Sequence, residues 1–223
     1  MKKKKEILKV LVIILIVITA SSLVIKGLIS TKHGNLNIVV AMLLKAENYL
    51  DPIPVDGKSA IEIRNSLNKN TMRLSAKPTP ISSIKNINIP TSSNQVTVRI
   101  YTPTNGSKLP IIIYSHGGAW ISGNLDTHDN ICRKLSKKAQ AIVVSVDYRL
   151  APENPYPEGL NDVYDVLQWI YKNAEAIHGD QKYICVAGDS AGGNLSAVVC
   201  QMARDKKGPP ITCQVLIYPS TNI

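Results

Sequence analysis

The sequence predicts an α/β protein with a doubly wound, mostly parallel sheet, and three observations carry this prediction. Two continuous apolar runs, Pro110–Ser115 and Ala141–Val146, are typical of strands buried on both faces of a parallel sheet. A third run, Tyr183–Ala187, is followed at once by a segment with helical character. Helix-compatible segments alternate with the strands, at residues 129–139, 160–170 and 195–204. Because parallel strands need crossover connections, this alternation indicates helices on both faces of one sheet.

Further elements complete the pattern on either side of these strands. The short runs Lys85–Ile89 and Gln95–Tyr101 predict a hairpin at the entry to the sheet, and Ile211–Tyr218 predicts a last strand. Residues 37–49 and 59–74 have apolar positions at helical spacing. These two helices are either a lid over a substrate pocket or simple packing against the core, and the sequence does not separate the two interpretations.

The N-terminus predicts a membrane segment. Four lysines, Lys2 to Lys5, precede an apolar run from Ile7 to Ile25, which Lys9 interrupts and in which residues 19–22 are less apolar. A signal anchor would keep the lysines in the cytoplasm and place the rest of the chain outside. A cleavable signal peptide has the same pattern, with cleavage near Ala20 to Ser22. Ile18 stands where cleavage after Ala20 would favour a small residue, so we expect a single-pass anchor with an extracytoplasmic domain, and secretion after cleavage is the alternative.

The net charge of +10 does not indicate a nucleic-acid partner. Residues 1–30 hold six lysines and one glutamate, which is half of that charge. The remainder has no nucleic-acid motif and no basic stripe interleaved with aromatic residues. A length of 223 residues and a hydrophobic content of 44% fit one sizeable core with a terminal appendage.

Residues 188–192, Gly-Asp-Ser-Ala-Gly, predict a nucleophile elbow. They lie between the strand Tyr183–Ala187 and the following helix, where a serine on a sharp turn has its hydroxyl exposed. Glycines two residues to either side let strand and helix pass without a Cβ clash. Ser190 is therefore the candidate nucleophile, and the helix N-terminus favours negative charge beside it.

A second glycine motif follows the strand Pro110–Ser115. It reads His-Gly-Gly-Ala-Trp at residues 116–120. Acyl transfer needs N–H donors for the oxyanion of a tetrahedral intermediate, and glycines let the substrate approach the backbone closely. We expect Gly117 and Gly118 to donate, together with the N–H of Ala191. We expect His116 to brace this loop rather than to act as a base.

Two other groups of residues do not indicate a site. Asp147, Arg149 and Glu153 are interpreted as an ion-pair cluster that fixes a loop. The four cysteines show no Cys-x-x-Cys metal spacing and fall on predicted helices and strands, which favours buried free thiols. They are Cys132, Cys185, Cys200 and Cys213.

Four ordered blocks resemble the hormone-sensitive lipase family of α/β hydrolases. They begin at His116, Asp147, Gly188 and Leu216 and read HGGAW, DYRLAPENPYPE, GDSAGGNL and LIYP. The resemblance covers roughly residues 80 to 220. It implies the α/β-hydrolase fold and a cofactor-free carboxylic ester hydrolase for small ester substrates with short or medium acyl groups. Ser190 would be the nucleophile, and Gly117, Gly118 and Ala191 the oxyanion hole.

The sequence departs from the family at two places. Ala119 stands where the family most often has a third glycine, which affects the width of the pocket. No histidine follows Ser190, and Asp205 is the one acidic residue after it, whereas the fold orders its triad as Ser, Asp or Glu, then His.

We therefore expect a C-terminally incomplete, inactive member of the family, and a non-hydrolytic small-molecule binding protein is the alternative. The expected organisation is a lysine run and membrane helix at 1–30, a helical cap or lid at 31–84 and a partial hydrolase domain at 85–223.

Overall fold

The computed structural model describes residues 2–50, 57–104, 106 and 108–221, without the side chains of residues 2–10, 47, 48 and 50. The chain divides into two compact units, Met1–Pro54 and Val55–Ile223. The boundary that the sequence suggests at residue 84 stays a prediction.

The first unit contains one long apolar helix. Helix α1 (Lys2–Ile29) is followed by the short antiparallel strands β1 (Ser30–Thr31) and β2 (Gly34–Asn35) and by helix α2 (Ile38–Leu50). Within α1, the 19 residues Leu11–Ile29 have a mean hydropathy of 2.6, and none of them is buried. Their length and composition suffice to cross a membrane, a property that signal sequences share.

The second unit begins with helix α3 (Ala60–Leu74), and its sequence explains where the helix starts. Ser59 accepts a hydrogen bond from the Glu62 N–H, while the Glu62 side chain accepts from the Ser59 N–H. This reciprocal capping satisfies two donors that a helix start leaves open. Arg64 then joins α3 to later loops, since it donates to the Ala151 carbonyl at 2.8 Å and pairs with Glu153 at 2.6 Å.

The rest of the described second unit is a six-stranded sheet with three α-helices and a single-turn 3-10 helix (Ala174–Ile177), and it confirms the predicted α/β-hydrolase fold class. In chain order the elements are β3 (Ser83–Pro90), β4 (Gln95–Thr102), β5 (Leu109–Ser115), α4 (Asp129–Ala139), β6 (Ile142–Val146), α5 (Glu158–Asn173), β7 (Gly179–Asp189), α6 (Ala191–Asp205) and β8 (Cys213–Ile217). The spatial strand order is β3-β4-β6-β5-β7-β8. The strands β6, β5, β7 and β8 run parallel, and β3 and β4 form the predicted antiparallel hairpin.

Alternating side chains of β5 pack on opposite faces of this sheet. Ile111 and Ile113 are buried in the cluster that contains Leu167 of α5 and Val199 of α6. Ile112 and Tyr114 belong to a second cluster with Cys132 of α4. Because both faces of a central strand are covered, its sequence is continuously apolar, as a parallel strand requires.

The cysteine prediction is wrong for two of the four residues. Cys185 of β7 and Cys213 of β8 form a disulfide, with their Cα atoms 4.7 Å apart. These residues are direct register partners on neighbouring parallel strands, a proximity that sequence spacing does not show. Cys132 and Cys200 are free thiols, and Cys132 is buried.

The predicted ion-pair cluster of Asp147, Arg149 and Glu153 is also wrong. Arg149 instead makes a bidentate contact with Asp162 of α5, with Nη2 at 2.7 Å and Nε at 2.9 Å from its oxygens. Glu153 pairs with Arg64. Asp162 lies at an inward position of α5 and is fully buried, so an arginine beside it is the partner that its charge requires.

Candidate active site

The candidate site lies where β5 and β7 end. These strands are parallel neighbours, and Ser115 pairs with Gly188 in their register. Their carboxyl ends therefore meet at one edge of the sheet, which is the usual ligand position in open α/β sheets. The loop after β5 carries the motif at residues 116–120, and the turn after β7 carries Ser190.

Ser190 occupies the sharp turn that a nucleophile elbow requires. Its backbone dihedrals are φ 50° and ψ −118°, outside the common regions for a side-chain-bearing residue. It is the N-cap of α6, yet its side chain makes no capping hydrogen bond, while its N–H donates to the Ile217 carbonyl at 2.9 Å. The hydroxyl is therefore held on a strained backbone and is not used to cap the helix.

The glycines flanking Ser190 are required by the close passage of strand and helix. A Cβ at Gly192 would lie 2.0 Å from the Ser115 carbonyl oxygen. A Cβ at Gly188 would lie 2.4 Å from the backbone of Gly192. Both distances are far inside van der Waals contact, so any larger residue would displace the turn.

Gly117 is placed differently from the sequence expectation. Its N–H donates to Asp189 Oδ1 at 3.0 Å, and the residue is buried. A Cβ there would lie 2.3 Å from Asp189 Oδ2, so close packing against this carboxylate explains why the position is glycine. The Gly117 N–H thus already has an acceptor in this structure, and the expected role of Gly117 as an oxyanion donor stays a prediction.

The next two residues of the loop have open N–H groups. Among the described residues, none accepts a hydrogen bond from the N–H of Gly118 or Ala119, and Ala119 is exposed. Gly118 has φ +130° and a Cβ there would lie 2.2 Å from the Ser122 carbonyl oxygen, so this position demands glycine. Ala119 has φ 52°, a left-handed conformation that explains why glycine is the more usual residue there.

Ala191 supplies a third open N–H group. It is the first residue of α6, where an N–H has no partner within the helix. The adjacent helix N-terminus carries a partial positive charge. The N–H groups of Gly118, Ala119 and Ala191 therefore have no partner within a helix or strand. The Ala191 N–H directly follows Ser190, and the other two lie on the loop after the neighbouring strand β5.

Comparisons with known proteins identify the family to which this fold belongs. A family model described as the α/β hydrolase fold matches residues 112–223. Carboxylesterase NlhH of Mycobacterium tuberculosis is 54% identical over 127 residues, which cover 56% of this chain and 40% of the relative. The arylesterase of Saccharolobus solfataricus is 36% identical over 158 residues, which cover 71% of this chain and 51% of the relative. The chain belongs to the hormone-sensitive-lipase-like esterases of the α/β hydrolase superfamily.

Solved structures extend the match to this esterase family. A hyperthermophilic esterase from the archaeon Pyrobaculum calidifontis is 37% identical with a TM-score of 0.78, and the match covers 84% of this chain and 60% of that one. The chain therefore spans about 40 to 60% of the length of these esterases.

His116 braces the loop at residues 116–120, which is called the oxyanion loop below after its expected role. The ring is fully buried and stacks on Tyr148 with centroids 4.3 Å apart, and its Nδ1 lies 2.9 Å from the Gly117 carbonyl oxygen. Burial lowers the pKa of His116 to about 4, so the ring is neutral at neutral pH. As the Nδ1–H tautomer it donates to Gly117, which agrees with its expected bracing role.

Asp189 is the buried charge of the site, and sequence reasoning overlooked it. Its Oδ1 accepts from Tyr114 Oη at 2.7 Å and lies 3.4 Å from His128 Nε2, in addition to the Gly117 contact. Burial by itself raises the pKa of Asp189, but the contacts of His128, Tyr114 and Gly117 outweigh it and hold that pKa below its usual value. Its position directly before the nucleophile was the available signal.

The described residues bring no histidine into hydrogen-bond contact with the Ser190 hydroxyl. Asp205, the acidic residue after Ser190, is exposed at the end of α6 and pairs with Arg204 at 2.7 Å. Among the described residues, no cluster of three or more His, Cys, Asp or Glu side chains is arranged to hold a metal.

A mostly apolar cavity of about 330 Å³ opens beside the oxyanion loop. It reaches from Ala119 and Trp120 to Leu195 and Val198 of α6. Asn194, whose N–H bonds to the Ser190 carbonyl at 3.0 Å, also lines it, so the cavity lies within one helical turn of the nucleophile. Its size is at the lower end of small-molecule pockets.

Proposed function

We propose that the protein is a serine carboxylic ester hydrolase for small esters with short or medium acyl groups. The observation that carries this proposal is the Ser190 elbow, with its strained backbone and uncommitted hydroxyl, beside the open N–H groups of the adjacent loop. A mostly apolar cavity of about 330 Å³ within one helical turn favours a small apolar group over a long chain.

The reaction follows the acyl-enzyme route. The Ser190 hydroxyl oxygen attacks the ester carbonyl carbon, and the carbonyl oxygen becomes an oxyanion that the N–H groups of Gly118, Ala119 and Ala191 stabilise. Collapse of the intermediate breaks the bond to the alcohol oxygen, which leaves with a proton. Water then attacks the acyl-serine, and release of the acid returns the proton to Ser190.

A general base must take the Ser190 proton, and the family supplies it as a histidine after the nucleophile in the chain. The 223 residues contain no histidine after Ser190. We therefore propose that these residues by themselves turn over esters only marginally, and that hydrolysis requires a chain that also carries the later histidine, which is called the full-length protein below.

We further propose that α1 is a signal anchor that holds the hydrolase unit on the outer side of the cell membrane. The tetralysine before the apolar helix favours this orientation. Secretion after cleavage is the alternative. The cap predicted at residues 31–84 stays a proposal, and for its second helix, α3, the bonds of Arg64 to Ala151 and Glu153 support a position against the loops of the second unit.

A second candidate is a non-hydrolytic small-molecule binding protein on the same scaffold. The lack of a histidine contact to Ser190 among the described residues favours it. The two candidates differ in whether the ester is consumed.

Hydrolysis of p-nitrophenyl acetate, butyrate and octanoate by the full-length protein separates the two candidates. We expect turnover that is highest for the two shorter esters, because the cavity is small. The 223-residue chain, measured beside it, serves as the matched form without a later histidine. Binding of these esters by the full-length protein with no release of p-nitrophenol would establish the binding protein instead.

A further inference from the structure

The carboxylate of Asp189 joins two segments that are far apart in sequence. Asp189 directly precedes Ser190, and its Oδ1 accepts the Gly117 N–H of the oxyanion loop at 3.0 Å. The same oxygen accepts from Tyr114 on β5 at 2.7 Å and faces His128 at 3.4 Å. One buried oxygen therefore connects the nucleophile turn, the oxyanion loop and the segment before α4.

Packing alone does not explain why a carboxylate is buried at this position. Asp189 is only 8% exposed, and burying a charge is costly unless it is paired and hydrogen-bonded. It has no Lys or Arg partner among the described residues. Its compensation comes from the donors named above and from the adjacent N-terminus of α6.

The Gly117 bond fixes the start of the loop that carries the open N–H groups. The Gly117 N–H bonds to Asp189, and the N–H groups of the next two residues, Gly118 and Ala119, have no partners among the described residues. The fit is tight, since a Cβ on Gly117 would lie 2.3 Å from Asp189 Oδ2. Displacement of this loop by a fraction of an ångström would move both donors relative to Ser190.

We propose that Asp189 is a positioning residue that fixes the oxyanion loop against the nucleophile turn through its bond to the Gly117 N–H. This inference rests on the proposed ester hydrolysis and adds a role that the reaction itself does not require. The acceptor oxygen carries the role, not the negative charge. A charge acting alone would oppose the nearby oxyanion, so its removal would then speed the reaction.

Three variants of the full-length protein test this role. Asp189→Ala removes the acceptor, and Asp189→Asn keeps an acceptor oxygen without the charge. Asp205→Ala removes an exposed aspartate from the other end of α6 and is the matched control. We expect kcat to fall about 100-fold in Asp189→Ala with KM little changed, because loss of one oxyanion donor typically costs 100- to 1,000-fold. Asp189→Asn should recover most of this loss.

An independent readout follows the contact itself. Hydrogen exchange of the Gly117 amide should be faster in Asp189→Ala and close to wild type in Asp205→Ala, and it can be measured whether or not the protein is active. If Asp189→Ala does not fold, Asp189→Leu decides, because it keeps the branched shape of the side chain without an acceptor oxygen, and the same fall in kcat and faster Gly117 exchange are expected. Unchanged kcat and Gly117 exchange in the variant that lacks an acceptor, or a rise in its kcat, would overturn the inference.

A further readout separates positioning from a general loss of structure. A trifluoromethyl ketone forms a tetrahedral adduct with Ser190 and requires the oxyanion hole, so its affinity should weaken in parallel with kcat/KM. If the affinity for the product acid fell as much as the affinity for the ketone, the site would be damaged as a whole. The positioning role of Asp189 would then be rejected. Absence of any Ser190-dependent turnover or adduct in wild type would instead refute the proposed function, and the inference with it.

Discussion

Ser190→Ala is expected to lower ester turnover by the full-length protein by about a millionfold. Removal of the nucleophile of a serine hydrolase has an effect of this order, because the covalent route is lost as a whole. Folding should be preserved, since the Ser190 side chain makes no capping bond and its N–H and C=O groups are retained. The measurement is p-nitrophenyl acetate hydrolysis, with the denaturation midpoint recorded on the same samples.

A matched control is Ser196→Ala, in the next turn of the same helix. Ser196 is buried, and its hydroxyl has no hydrogen-bond partner among the described residues. Its replacement should leave turnover within a few-fold of wild type. Turnover by Ser190→Ala that matches the control would mean that another residue attacks the ester.

Arg149→Met is expected to destabilise the second unit by about 3 to 5 kcal/mol. Removal of one partner of a buried ion pair costs this much, because the remaining charge stays buried and uncompensated. Asp162 is fully buried, and Arg149 supplies both side-chain donors and the backbone N–H at 2.9 Å that satisfy it. Only the backbone bond would remain. Denaturant unfolding of the protein without residues 1–30 measures the loss.

Arg204→Met is the matched control for this change. Arg204 pairs with Asp205 at 2.7 Å, but the two side chains are 73% and 63% exposed. Solvent screens such a pair, so we expect the unfolding free energy of Arg204→Met to stay close to that of the wild type. Equal losses of unfolding free energy in the two variants would show that the buried Arg149–Asp162 pair contributes no more to stability than an exposed pair.

The sequence predicts the strands and the elbow because their signals are local. Apolar runs define β5 and β6, and the glycines at 188 and 192 are needed at a turn that strand and helix already define. Register across strands is not local. The Cys185–Cys213 disulfide depends on which residues of β7 and β8 face each other, and alternation alone does not determine that.

The direction of a single N–H group is equally hidden from sequence. Two consecutive glycines at 117 and 118 suggest two equivalent donors, but the N–H of the first bonds to Asp189, whereas the N–H of the second has no partner among the described residues. Arg149 shows the same limit for ion pairs. Its partner, Asp162, is 13 residues away on the next helix, and helical geometry, not proximity in sequence, brings the two together.

The most direct test of the central claim, that Ser190 is an acylated nucleophile, is mass spectrometry of the full-length protein quenched in acid during p-nitrophenyl acetate turnover. We predict a mass increase of one acetyl group on the proteolytic peptide that contains Ser190, absent from Ser190→Ala. An acetyl group that forms and is hydrolysed on another residue during turnover would contradict this claim. Hydrolysis without any acylated protein would contradict it as well.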